Sequence, residues 1–151
     1  MGIEKDETKE VEEKFEIEET EQQIIMQEAL AKMLKRGSRG SGFVIFRERG
    51  TDFIVMYSFD EKGFMLFFQK GIFNNEHFNN TIKLIQSLKF KLWNFVSGSF
   101  PIFDIKEFVV SDNEIYAQCG EDVDFIAYLS DRIFRDVFKT EDDYKIKIKV
   151  E

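Results

Sequence analysis

The side chains best suited to chemistry in this sequence are its one histidine and its one cysteine. His77 follows Glu76 at the start of a predicted helix, with no second histidine and no nearby cysteine. A structural zinc ion takes about four nitrogen or sulfur ligands, and a nucleophile–base pair needs a serine or cysteine at a recognisable motif. His77 has neither, so the pattern favours a histidine at a helix cap or on the surface.

Cys119 ends a predicted strand and lies close to a helix that begins after Asp122. A reactive thiolate needs a lowered pKa, which a helix N-terminus or nearby cations supply. The neighbouring side chains of Glu121, Asp122 and Asp124 are acidic and would raise the thiol pKa, which predicts a buried structural cysteine. A single cysteine also excludes an internal disulfide and is typical of a reducing compartment.

Carboxylates are abundant, at 29 acidic residues, but their spacing indicates no site. The clusters at 121–124 and 141–143 lack the spaced ligands and central glycine of a calcium loop and are predicted to be solvated helix ends. The glycine-rich stretch 37–42 leads into β-like residues, whereas a phosphate-binding loop leads into a helix. We therefore predict no catalytic residues, no metal, no cofactor and no enzymatic activity. A hydrolase-type site built from scattered carboxylates is the alternative.

Net charge is concentrated at one end of the sequence. The first 21 residues hold ten acidic side chains and three lysines, a net of −7, whereas the whole chain sums to −8. Over 144–150, lysine alternates with apolar residues at the period of a β-strand. One interpretation is an edge strand whose lysines prevent aggregation, and the other is a strand that pairs with an acidic segment. The candidate interaction residues are Phe15, Glu16, Ile17, Glu18, Lys145, Lys147 and Lys149.

Apolar periodicity and turn residues divide the rest of the chain into helices and strands. The predicted elements are a helix at 21–35, strands at 43–49, 53–59 and 64–70, a helix at 75–88, a hairpin of strands at 102–110 and 114–119, a helix at 123–138 and a strand at 144–150. Residues 90–96 fit either an extension of the second helix or a short strand.

The fold class that follows is α+β, an antiparallel sheet packed with helices as a two-layer sandwich in the order α-β-β-β-α-β-β-α-β. Residues 20–151 are predicted to form one domain, and residues 1–19 an acidic flexible extension. The first helix is predicted to bury Ile25 among its apolar stripe. The four-residue spacings Asp131–Arg135 and Arg132–Asp136 predict ion pairs on the solvated face of the third helix.

Composition bears on location and on partners. Apolar runs reach about five residues, against the roughly 20 of a membrane helix, and the acidic start has no apolar signal-peptide core. We therefore expect no membrane association and a cytoplasmic location, or a host cytoplasm for a viral protein. The net charge of −8 disfavours nucleic acid as a partner, because phosphate contacts need clustered lysine and arginine.

The order of elements over about residues 21–138 is similar to that of class I type III secretion chaperones, which are small acidic α/β sandwiches. This resemblance implies a homodimer that holds a segment of another protein in extended form. With residues 64–70 as only part of a long hairpin and residues 90–96 as a strand, the order looks more like a longin, roadblock or profilin-like fold, which implies a regulatory platform for protein partners.

The function that these observations favour is a non-catalytic protein-interaction module, such as a chaperone or adaptor. It would bind another protein, or a second copy of itself, at a sheet edge or in an apolar groove. The excess of phenylalanine, at 18 residues, fits a large core with apolar contact surface left over. The alternative from another class is a viral or regulatory inhibitor whose acidic surface mimics nucleic acid.

Overall fold

A computed structural model describes residues 19–36, 42–70, 74–94 and 107–151, with the side chains of the second helix described up to Leu88. The elements are α1 (Glu21–Arg36), β1 (Gly42–Glu48), β2 (Ile54–Asp60), β3 (Gly63–Gln69), α2 (Asn75–Asn94), β4 (Glu107–Val110), β5 (Glu114–Gly120), α3 (Val123–Arg132) and β6 (Ile146–Val150). A π-helical turn, Ile133–Val137, continues α3 directly. The predicted α+β class and the predicted order of elements are confirmed.

The described strands form one antiparallel sheet in the order β4-β5-β3-β2-β1-β6. Strands β1, β2 and β3 form the predicted meander, and β4 and β5 form the predicted hairpin. The last strand returns to β1, where Ile148 lies opposite Phe46. Within the described residues, β4 and β6 are therefore the two edges of the sheet.

Alternation along the strands gives the sheet one buried face and one partly exposed face. Tyr57 and Leu66 are fully buried cross-strand neighbours on β2 and β3. Helices pack on this face: the Tyr57 hydroxyl lies 2.8 Å from Ser130 Oγ of α3, and the rings of Phe68 and Phe78 of α2 have centroids 6.5 Å apart. The core thus lies between the sheet and the helical layer.

Helix α1 buries Met26, Leu30 and Met33, as its periodicity predicts. The prediction that Ile25 shares this face is wrong, because Ile25 is 40 % exposed. At 100° per residue, Ile25 lies a quarter-turn away from Met26. The buried position one turn before Met26 is occupied instead by Gln22, whose amide is satisfied by hydrogen bonds.

Helix α3 begins at the cap residue Asp122, whose carboxylate accepts a hydrogen bond from the Phe125 N–H at 3.1 Å. The predicted helix at 123–138 is observed, but its last turn is wider. Phe138 N–H donates to the Ile133 carbonyl, five residues earlier, at 3.0 Å. Both residues remain buried, so the wider turn keeps the apolar stripe of the helix facing the core.

The second helix extends to Asn94, so residues 90–94 are helical and the strand alternative for them is wrong. The predicted strand at 102–110 is observed over Glu107–Val110. Other predictions fall on residues outside the described part of the chain and stay predictions; these residues are 1–18, 37–41, 95–96 and 102–106.

Candidate interaction surface at the β6 edge

Within the described residues, strand β6 turns one row of backbone groups toward a side of the sheet where no further strand lies. Phe43 and Glu151 exchange two backbone hydrogen bonds, at 3.0 and 2.9 Å. Because hydrogen-bonded and non-hydrogen-bonded pairs alternate along antiparallel strands, this pair determines which residues of β6 bond to β1. Lys147 and Lys149, in register with β1, therefore turn their N–H and C=O groups toward β1. The residues that alternate with them turn theirs away from the sheet, where a further strand would pair; these are Ile146, Ile148 and Val150.

The apolar side chains of β6 lie on one face of the sheet and its lysines on the other. Ile146 and Ile148 pack against the buried core, and Val150, on the same face by alternation, is 41 % exposed. Lys147 and Lys149 are exposed on the opposite face. A strand added at this edge would therefore meet apolar side chains on one face and lysines on the other.

Further cations lie beside the lysines of β6. Arg47 is the direct cross-strand partner of Lys147, and the Arg49 N–H donates to the Lys145 carbonyl at 2.9 Å. Among the described residues, Lys149 forms an ion pair at 2.9 Å with the carboxylate two residues further on, while the other four cations lie in no ion pair. Like charges directly opposite one another are destabilising, so this edge is a cationic corner that favours an acidic neighbour.

A buried polar network around Asp131 holds Tyr144, two residues before β6. Asp131 is 2 % exposed, and its carboxylate accepts hydrogen bonds from the Tyr144 hydroxyl at 2.6 Å and from Arg135 Nε at 3.0 Å. Arg135 also donates to the side-chain oxygen of Gln22 at 2.9 Å. Gln22 Nε2 in turn donates to the Tyr144 carbonyl at 2.9 Å. The network joins α1, the end of α3 and the start of β6.

The two predicted ion pairs of α3 have different surroundings. The prediction of a solvated pair is confirmed for Arg132 and Asp136, whose side chains are 39 % and 40 % exposed. It is wrong for Asp131 and Arg135, whose side chains are 3 % and 15 % exposed. The difference arises because Tyr144 covers Asp131. Burial and the hydrogen bond to this carboxylate raise the pKa of Tyr144 above its ordinary value, so its hydroxyl stays a donor.

A row of large side chains crosses the partly exposed face of the sheet. Ile45, Met56, Phe67, Tyr116 and Val109 are successive cross-strand neighbours from β1 to β4. The rings of Phe67 and Tyr116 pack edge to face at 4.8 Å between centroids, and Val109 is 53 % exposed. At the β1 end this row meets the lysine face of β6, so apolar and cationic surfaces are continuous there.

His77 takes part in packing. Its backbone N–H, in the first turn of α2, donates to the side chain of the capping residue Asn74 at 2.8 Å, so His77 lies beside the cap and is half-buried. Its ring lies edge to face with Phe53 at 5.5 Å and with Phe138 at 5.2 Å between centroids. The histidine thus joins the aromatic cluster between β2 and the end of α3.

Cys119 is 1 % exposed, which confirms the prediction of a buried cysteine. Burial raises the pKa of its thiol to about 12, so the group is protonated near neutral pH and is a poor nucleophile. The dominant cause is desolvation of the thiol, whereas the sequence pointed to the acidic residues nearby.

The acidic clusters do not converge on a metal site: within the described ranges, no three His, Cys, Asp or Glu side chains are placed to hold an ion. Desolvation and the carboxylates of Asp122 and Glu19 raise the pKa of Asp124. A groove of about 730 Å³ on the partly exposed face is lined in part by Asp60, Glu107 and further polar residues. The groove reaches Glu107 on β4, the edge of the described sheet opposite β6.

The structure places Lys147 and Lys149 on β6 and Lys145 just before it, all three exposed. Sequence reasoning missed Arg47 and Arg49, because only the register between β1 and β6 brings these distant residues beside the lysines. The acidic half of the predicted pairing lies outside the described residues and stays a prediction; it comprises Phe15, Glu16, Ile17 and Glu18.

Comparisons of the chain with protein-family models, with curated proteins and with solved structures find no match. Of the helices that the structure describes, none has the length and apolar character to cross a membrane. The interpretation of the β6 edge therefore depends on its own geometry and charge.

Proposed function

We propose that this protein is a non-catalytic interaction module that binds an extended acidic segment of another protein as an added strand beside β6. One observation carries the proposal. Among the described residues, the edge combines backbone groups that pair with no strand, at Ile146, Ile148 and Val150, with exposed cations on one face. In strand addition, main-chain hydrogen bonds provide affinity and alternate side chains provide specificity.

The two faces of β6 define the pattern of the bound segment. Acidic side chains at every second position would lie beside Lys147, Lys149 and Arg47, and apolar side chains between them would lie beside Ile148 and its neighbours. Each cross-strand pair contributes only about 0.2–1 kcal/mol. The charges therefore select the partner and speed its approach, while the backbone and the apolar face hold it.

The buried network prepares this edge for binding. Because Asp131 and Arg135 hold Tyr144, the start of β6 is positioned before a partner arrives. Ordering a strand at the moment of binding lowers affinity, and a preformed edge avoids that cost on one side of the interface.

The test is an NMR titration of the full chain with a synthetic peptide that alternates isoleucine and glutamate. The matched control peptide carries lysine in place of glutamate. We expect the acidic peptide to bind with a Kd at least about tenfold lower, to shift the amide resonances of Ile146, Ile148 and Val150, and to bind more weakly as salt is raised. Equal binding of the two peptides, or binding that leaves these amides unshifted, contradicts the proposal.

A proline in β6 separates backbone pairing from side-chain contact. Ile148→Pro removes an N–H that points away from β1, so one donor to the added strand is lost while the β1 ladder is retained. Ile148→Ala shortens the same side chain and keeps the donor. We expect peptide binding to be lost in the proline variant and largely retained in the alanine variant. Peptide binding that the proline variant retains would contradict strand addition at this edge.

A further inference from the structure

We infer that a segment of the same chain binds the β6 edge; this inference rests on the proposed function. Residues 15–18 add to β6 as an antiparallel strand and cover it until an acidic segment of a partner displaces them. Three features support this assignment: matched charge, matched apolar side chains, and the point at which the described chain begins.

The charges on the two segments complement each other in one register. With Glu18 opposite Lys147 in an antiparallel pair, Glu16 falls opposite Lys149. Both carboxylates then lie on the face that carries Arg47, the cross-strand partner of Lys147. Two acidic side chains would neutralise part of the positive charge of this corner, where Lys149 is the one cation with an ion pair among the described residues.

The same register matches the apolar side chains on the other face. Ile17 falls opposite Ile148, one of the residues whose backbone groups point away from the sheet, so this pair can exchange both main-chain hydrogen bonds. Phe15 falls opposite Val150, which is 41 % exposed at the open edge. Covering Val150 with a phenylalanine ring removes apolar surface from water, which the charges alone do not do.

The first described residues lie near the start of β6, where an antiparallel segment that leads into α1 would end. Gln22 Nε2 donates to the Tyr144 carbonyl at 2.9 Å, so the first turn of α1 lies where β6 begins. A segment that enters α1 from the edge must therefore run antiparallel to β6. Sliding this segment by two residues would place Lys14 opposite Lys149, and the repulsion between like charges disfavours that register.

Covalent attachment favours residues 15–18 at this edge over a strand from a second copy of the chain or from a separate protein. A short linker gives a tethered segment an effective concentration of about the millimolar order. Residues 1–18 hold eight acidic side chains and three lysines, so the tether also brings net negative charge to the cationic corner. A partner must then compete with residues 15–18, which makes the edge selective for strong or abundant acidic strands.

The test compares amide hydrogen exchange at Ile146, Ile148 and Val150 in full-length chains. In the first variant Glu16→Lys and Glu18→Lys reverse the two charges of the proposed strand. The control, Glu12→Lys with Glu13→Lys, makes the same charge change outside it. We expect exchange at the three edge amides to accelerate by about tenfold or more in the first variant only. Adding Lys147→Glu and Lys149→Glu to that variant is expected to restore protection.

The outcomes separate this inference from the proposed function. Unchanged exchange in every variant overturns self-occupancy, as does protection that grows with protein concentration together with a dimer mass, which would assign the edge to a second copy. If the isoleucine–glutamate peptide binds the full chain and the Glu16→Lys, Glu18→Lys chain equally well, self-occupancy fails and the proposed function stands. If it binds neither chain, the proposed function fails. Binding that is at least about tenfold tighter to the reversed-charge chain supports both.

Discussion

Asp131 and Asp136 each pair with an arginine four positions away, yet one carboxylate is buried and the other is exposed. Removing the charge of Asp131 leaves Arg135 and Tyr144 facing a weaker acceptor inside the protein. We expect Asp131→Asn to lower the free energy of unfolding by about 2–4 kcal/mol. The matched variant Asp136→Asn should lower it by less than about 1 kcal/mol. Urea denaturation near neutral pH measures both values.

The buried carboxylate also acts on the interaction edge. Because Asp131 holds Tyr144, its loss is expected to speed amide exchange at Ile146 under conditions where the rest of the sheet is still protected. If the two asparagine variants lose equal stability, Asp131 is not the anchor of β6, and the edge is positioned by packing of its isoleucines instead.

At the scale of elements, the turn between β2 and β3 depends on one glycine. Gly63 has a φ of 103°, and a Cβ there would lie 2.4 Å from the Gly120 carbonyl oxygen. Gly50, in the turn after β1, has a φ of 81° and open space around it. We expect Gly63→Ala to cost at least about 3 kcal/mol of stability, and Gly50→Ala about 1 kcal/mol. Equal stability of the two variants in thermal denaturation would show that the backbone shifts to relieve the contact.

The helices and strands were predictable because each has a periodicity of its own. The widened turn at Ile133 was not, since one extra residue leaves the apolar stripe of α3 nearly unchanged. Burial of Asp131 depends on Tyr144, which belongs to another element. The lysines of β6 were predicted because they alternate within one element. Arg47 was missed because it lies beside them only through a contact between two elements. Pairing of β6 with β1 joins distant parts of the chain, and local patterns do not report it.

At the scale of the whole molecule, the charges of the chain are unevenly divided. The chain sums to −8 and its first 21 residues to −7, so residues 22–151 sum to −1. The cationic corner at β6 therefore belongs to a nearly neutral body, and most of the net negative charge of the chain lies in its first segment. Attraction between opposite charges weakens as salt rises, whereas the packing of apolar side chains in the core has no charge for salt to screen. Stability and edge occupancy should thus respond differently to ionic strength.

The core responds instead to alkaline pH. Tyr57 and Tyr144 are buried, and desolvation is the largest cause that raises the pKa of each above its ordinary value. Burial likewise raises the pKa of Cys119 to about 12. In the unfolded chain these groups ionise near pH 8.5–10. Above that range the unfolded state binds fewer protons than the fold, so stability present at neutral pH is lost as pH rises.

Cys119 ionises first in the unfolded chain, so its contribution can be isolated. We expect the free energy of unfolding to be nearly constant from about pH 7 to 8 and then to fall, with about 1.4 kcal/mol per pH unit from each ionising buried group. Cys119→Ala lowers stability near neutral pH because it leaves a small cavity. It should also flatten the decline between about pH 9 and 10, because the thiol no longer titrates. Guanidinium denaturation at a series of pH values measures both effects. Parallel curves for the two proteins would contradict this account, since a buried thiol that stays protonated up to a pKa of about 12 must contribute to the slope.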